Sequence, residues 1–136
     1  MTLSAKDEEY IRERARGRCE YCLMHQSLQG ATFHIEHVIP RSRGGLTQTD
    51  NLAWACPSCN LAKAGRVDGI DTETGISAPL FSPRLDKWLD HFHWNGYEIT
   101  ARTAVGRATL FLLDLNRPRR TLIRKAEELF GLFPPA

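Results

Sequence analysis

The chain has no apolar run approaching the roughly 20 residues that a bilayer crossing needs, so no membrane span is expected. Over Met1 to Glu9 it lacks the basic and then apolar order of a secretory signal, and the expected location is the cytoplasm. It also lacks a charge excess. There are 18 Lys and Arg against 16 Asp and Glu, a net of +2, so bulk charge does not mark a nucleic-acid binder. Local clusters remain at Arg12, Arg14, Arg16 and Arg18, and at Arg117, Arg119, Arg120, Arg124 and Lys125. There is no internal repeat and no low-complexity stretch, which sets aside solenoids and linker arrays. At 136 residues, 42% hydrophobic and 25% charged, the chain suits one soluble domain, or one domain with an extended tail.

Cysteine is scarce, and its placement is informative. The four residues form two Cys-x-x-Cys pairs, Cys19/Cys22 and Cys56/Cys59, with 33 residues between them. A reducing compartment disfavours structural disulfides. Paired thiolates at this spacing instead read as a closed tetrahedral Zn2+ shell, which is structural because no coordination position stays open. Such a site contributes on the order of 10 kcal/mol to the folding of a small domain.

Along the chain, Ser4 is placed to cap a helix running to about Arg16, with Asp7, Glu8 and Glu9 at its positive end and Gly17 as its stop. Thr32 to Ile39 alternates as a strand, and Pro40 ends it. Arg41 to Asp50 reads as a loop around Gly44-Gly45, Leu52 to Ala55 as a second strand, and Pro57 as the first turn of a helix that Gly65 ends. Residues 67–80 are rich in Gly, Asp and Thr, without an apolar period, and read as a linker or loop. Beyond them, Leu85 to His91 suggests a short helix and Phe92 to Thr100 a hairpin around Asn95-Gly96. Thr103 and Pro118 are placed to start helices reaching Leu113 and Phe130.

Between and around the cysteine pairs stand His34-Ile35-Glu36-His37-Val38-Ile39-Pro40, Arg41-Ser42-Arg43-Gly44-Gly45, Asp50-Asn51-Leu52 and Cys56-Pro57-Ser58-Cys59-Asn60-Leu61-Ala62-Lys63. Hydrolysis of a phosphodiester needs an activated water and a cation on the phosphate. A neutral imidazole such as His37 is a candidate base near neutral pH. Glu36 and Asn60 are oxygen donors suited to a hard cation, Mg2+ or Mn2+.

This order and spacing closely resemble the HNH endonuclease family with its ββα-metal fold, over about a third of the chain from Cys19 to Gly65. The resemblance implies His37 as the base, Asn51 as the residue ordering the inter-strand loop, and Glu36 and Asn60 as ligands of the catalytic cation. Glu36 departs from the Asp more common in the family. His34 leaves three roles open: a further metal ligand, a phosphate contact, or packing against the zinc knuckle, with support beside the site the expectation. Arg41, Arg43 and Lys63 are candidate contacts to nucleic-acid phosphates, or solvated charges.

Trp88, Phe92, His91, His93 and Trp94 in the tail resemble the extension of a subset of bacterial members. The aromatics are expected in a core, with base stacking as the alternative. The two histidines are expected at the surface or hydrogen-bonded, with metal binding as the alternative, and the Arg117 to Lys125 cluster is placed either along a DNA backbone or in solvent.

The expectation is therefore an α+β protein. A zinc-stapled ββα-metal core with an N-terminal helix fills residues 1–66, a linker or loop covers 67–80, and an extension of a hairpin and helices covers 81–136. Its expected function is metal-dependent cleavage of double-stranded DNA, with a homodimer as one way to cut both strands. The alternative is a non-catalytic zinc module that binds nucleic acid or protein. Glu36, His37, Asn51 and Asn60 argue against it, because a zinc clamp alone requires none of them.

Overall fold

The computed structural model describes residues 3–136, and Met1 and Thr2 lie outside it. The chain mixes helices with three two-stranded antiparallel sheets, and none of its helices is long and apolar enough to cross a membrane. It divides into two compact units. One runs to Val67 and takes back Ser82–Leu85, and the other holds Asp68–Phe81 and Asp86–Ala136.

The first unit begins with helix α1, Ala5–Arg14. Ser4 and Asp7 cap it reciprocally: the Asp7 N–H donates to Ser4 Oγ at 3.1 Å and the Ser4 N–H donates to Asp7 Oδ2 at 3.4 Å. Strand β1, His34–His37, pairs antiparallel with β2, Leu52–Ala55, and places His37 opposite Leu52. Helix α2, Pro57–Lys63, follows at once, with Cys56 as its cap and Pro57 in its first turn. It ends at Ala64, one residue before the expected Gly65. Around this frame Ile11, Met24, Phe33, Leu52, Ala53 and Ala55 form the apolar interior. Two guanidiniums finish the start of β2. Arg14 donates to the carbonyls of Thr49 (2.8 Å) and Leu52 (2.6 Å), and Arg84 donates to the Leu52 carbonyl at 3.1 Å. Arg84 also pairs with Glu20, which explains why Ser82–Leu85 belongs to this unit.

The second unit opens with a finding against expectation. Residues 67–80 contain a ladder, β3 (Asp68–Ile70) with β4 (Ser77–Pro79), where a linker or loop was expected. Its strands are three residues long, too short for a visible period. Polar bonds hold it instead. The buried Asp71 carboxylate accepts from Glu73 N–H (3.0 Å), Thr74 Oγ1 (3.1 Å) and both arms of Arg107 (2.7 and 3.0 Å).

Helix α3 spans only Trp88–His91, because Ser82 Oγ accepts from the N–H groups of Arg84 and Leu85 and holds those residues in a turn. The hairpin of β5 (Phe92–Asn95) and β6 (Glu98–Ala101), helix α4 (Ala104–Leu112, capped by Thr103) and helix α5 (Pro118–Leu129) follow the expected pattern. Trp88, Phe92 and Trp94 join a chain of aromatic contacts that runs from Phe81 to Phe133, with ring centroids 4.9–5.6 Å apart. His91 Nδ1 is bonded to Thr103 Oγ1 at 2.7 Å.

Two members of the basic cluster, Arg120 and Arg124, need correction as parts of a DNA-tracking or solvated surface. Arg120 and Arg124 face inward and are 3% and 0% exposed. Arg120 donates to the Leu113 carbonyl at 2.7 Å, and Arg124 donates to those of Leu115 (2.7 Å) and Tyr97 (2.9 Å). Their task is to satisfy chain ends that a short unit leaves without partners.

Candidate metal centre and active site

The first cysteine pair sits on a tight knuckle closed by an Arg18–His25 bridge. The Cys19 N–H donates to Met24 O at 2.9 Å and the Leu23 N–H donates to Cys19 O at 2.8 Å. The second pair opens α2, where the Cys59 N–H donates to Cys56 Sγ at 3.4 Å. All four cysteines are buried, none is in a disulfide, and their sulfurs lie within 4.8 Å of one another. Cys22 and Cys56 Sγ are 3.8 Å apart, close to the edge of about 3.8 Å that a tetrahedron with Zn–S bonds of about 2.3 Å would have. Burial pushes the Cys19 thiol up, while hydrogen bonds from its three neighbours pull Cys56 strongly down. A dry cluster of sulfurs at this spacing calls for a cation, and the donor set fits zinc. Among the described residues, no other group of three or more Cys, His, Asp or Glu is gathered this way.

Glu36 corrects a second expectation. It is 4% exposed, and both carboxylate oxygens are engaged. Lys63 Nζ lies 2.5 Å from Oε1, and the Tyr21 hydroxyl donates to Oε2 at 2.6 Å. Burial pushes the Glu36 carboxyl up, and the Lys63 ammonium and the Tyr21 hydroxyl pull against it. Burial and the Glu36 charge push the Tyr21 hydroxyl well up, so it remains a donor. With both oxygens committed, Glu36 offers no open face to a divalent cation. Lys63 is likewise no phosphate contact. It is 1% exposed and donates inward to Val38 O at 2.9 Å and, more weakly, to His37 O at 3.4 Å.

His37 closes β1 and is half-buried. Its Nε2 shares a 2.9 Å hydrogen bond with Thr47 Oγ1. Burial lowers its pKa, and the cations of Arg41 and Lys63 add to the effect, so the ring is neutral near pH 7. Asn51 bonds across the loop beyond it. Its Oδ1 accepts from Ile39 N–H at 2.9 Å, and its Nδ2 donates to Ile39 O at 3.0 Å and Leu46 O at 2.9 Å. Gly45 completes this clamp, since a Cβ there would fall 1.7 Å from the Ile39 carbonyl oxygen.

Asn60 is half-buried on α2, on the same helical stripe as Cys56 and Lys63. His34 is exposed at the start of β1, three residues from His37, in a cleft of about 560 Å³ with Glu8, Arg12 and Trp54. Arg41 and Arg43 are exposed on the loop, and Arg43 Nε donates to Gly65 O at 3.3 Å. Two participants escaped the sequence reading. Tyr21 carries a faint signal, as a hydroxyl-bearing aromatic between two metal ligands. Thr47 carries none, because only the folded loop returns it to His37.

A search of curated proteins and a search of solved structures each find no match. One family model does match, that of the HNH endonuclease, over residues 19–66. The matched segment spans both cysteine pairs, β1, β2 and α2. Residues 19–66 therefore match the HNH endonuclease domain, and the four cysteines at the two ends of that segment are positioned to bind a metal.

Proposed function

We propose that the protein is a metal-dependent endonuclease that hydrolyses phosphodiester bonds in DNA, acts in the cytoplasm, and uses His37 to activate water. The supporting observation is the ring of His37, bonded to Thr47 through one nitrogen at a strand end and shifted toward its neutral form by burial and the cations of Arg41 and Lys63. In the tautomer that gives Nε2–H to Thr47, the Nδ1 lone pair is left to take a proton from water. The exposed Arg41 and Arg43 flank the loop and are placed to meet backbone phosphates.

Zinc fits the four cysteines and is structural there. The amide oxygen of Asn60, joined by water and substrate oxygens, would hold Mg2+ or Mn2+. Such an ion would stabilise negative charge on the phosphate. Glu36 is no longer counted as its ligand. One such centre cuts one strand per event, so double-strand cleavage would need a homodimer or two visits.

A plasmid-nicking assay with Mg2+ or Mn2+ tests the proposal. Wild type nicks, EDTA at a level that spares zinc stops it, and His37→Ala abolishes it with zinc content intact. Full activity in His37→Ala would refute the role of that residue. A non-catalytic zinc module that binds nucleic acid or protein is the second reading, favoured by the commitment of Glu36 to Lys63. DNA binding without nicking across metals would support it.

A further inference from the structure

A buried ion pair is a costly device. Removing two charges from water is repaid only by close geometry and further hydrogen bonds, and apolar replacements of similar volume are often as stable. The Glu36–Lys63 pair, with side chains 4% and 2% exposed, therefore needs a reason beyond stability.

The geometry supplies one. Lys63 neutralises Glu36 and also donates to the carbonyls of Val38 and His37, where β1 leaves its ladder. Asn51 holds the adjoining peptides through its own carbonyl, which accepts from Val38 N–H at 2.9 Å, and through its side chain on Ile39. The backbone that aims the His37 ring is thus gripped by an ammonium and an amide. The carboxylate behind that ammonium is in turn gripped from both halves of the sulfur site. Tyr21 lies between Cys19 and Cys22, and Lys63 lies one helical turn beyond Cys59.

We propose that Lys63 is a positioning residue for His37 and that Glu36 is its anchor, carrying the geometry of the four-cysteine site to the catalytic strand instead of holding the catalytic cation. This rests on the nuclease reading for its consequence in turnover, but not for its structural content. Lys63→Met keeps most of the stem and removes the ammonium. Turnover at saturating DNA and metal is expected to fall about 100-fold, the loss typical of a small misplacement of a reacting group. The KM for DNA, the zinc content and the half-saturating Mg2+ concentration are expected to stay unchanged. If Glu36 were a cation ligand that Lys63 masks, Lys63→Met would free it and lower the Mg2+ requirement, which would overturn the proposal.

The double variant Glu36→Gln/Lys63→Met leaves no buried charge and carries the same comparison should Lys63→Met misfold. Turnover that stays low in a well-folded double variant supports positioning. Recovery to the wild-type rate would mean that Lys63 merely neutralises Glu36. The second measurement needs no activity: the His37 ring 15N resonances report the tautomer held by Thr47 and should shift in both variants. Failure of wild type to nick would defeat the nuclease reading and leave this measurement intact. Unchanged His37 resonances would defeat the positioning role whether or not the protein cuts DNA.

Discussion

The first unit gathers four sulfurs, two ion pairs and capped carbonyls around its two-stranded sheet. The second gathers a run of aromatic rings and lets arginines close its chain ends. Each uses a buried cation to satisfy backbone carbonyls: Lys63 in the first, Arg120 and Arg124 in the second. Their dependence on an external ion differs. A unit built around four buried thiols leans on a metal, as small domains commonly do, whereas aromatic packing is available to the chain without help.

The largest effect should come from breaking the sulfur shell. Cys56→Ser is expected to abolish stoichiometric zinc and remove on the order of 10 kcal/mol from the first unit. The second unit should keep its own melting transition in circular dichroism. Joint collapse of both units would break the comparison. Next, Glu36→Ala leaves the Lys63 ammonium buried without its carboxylate and should cost roughly 3–5 kcal/mol in denaturant unfolding. Arg124→Met should cost about 3 kcal/mol by stranding carbonyls, and only in the second unit, with zinc content untouched.

A smaller effect concerns pH. With His37 as the proposed base, active when neutral, cleavage should fall as pH drops through its folded pKa. Because that pKa lies below 6.5, the acid limb of kcat/KM should lie below pH 6.5. Arg41→Gln removes a neighbouring cation and should move that limb toward higher pH. Smallest of all, Ser4→Ala removes half of the α1 capping box and should cost about 1 kcal/mol, confined to the first unit.

The two units also differ in how much their residues disclose. In the first, ligand spacing and motif order are local properties, so the strands, α2 and the sulfur site were all legible. The roles of Glu36 and Lys63 were not, because burial depends on Tyr21 arriving from 15 residues away. A motif names the residue types at a site without saying which partner claims each oxygen. In the second unit the hairpin and the two long helices followed from turn and cap residues. The β3–β4 ladder stayed hidden because its stabilising group, Arg107, is 36 residues from Asp71. The inward turn of Arg120 and Arg124 was equally hidden, since a guanidinium bonded to carbonyls looks the same in sequence as one in solvent.

The double capping of the Leu52 carbonyl bears on how this HNH-like segment can be moved between proteins. Arg14 and Arg84 reach the same oxygen from either side of the matched stretch. A chimera that grafts residues 19–66 alone would carry every motif residue and leave behind both arginines and the helix before Cys19. The transplantable piece is therefore larger than the recognisable one, and discontinuous. A domain-shuffling donor would have to include the α1 helix and supply a surrogate for Arg84, or the graft would expose the start of its own sheet.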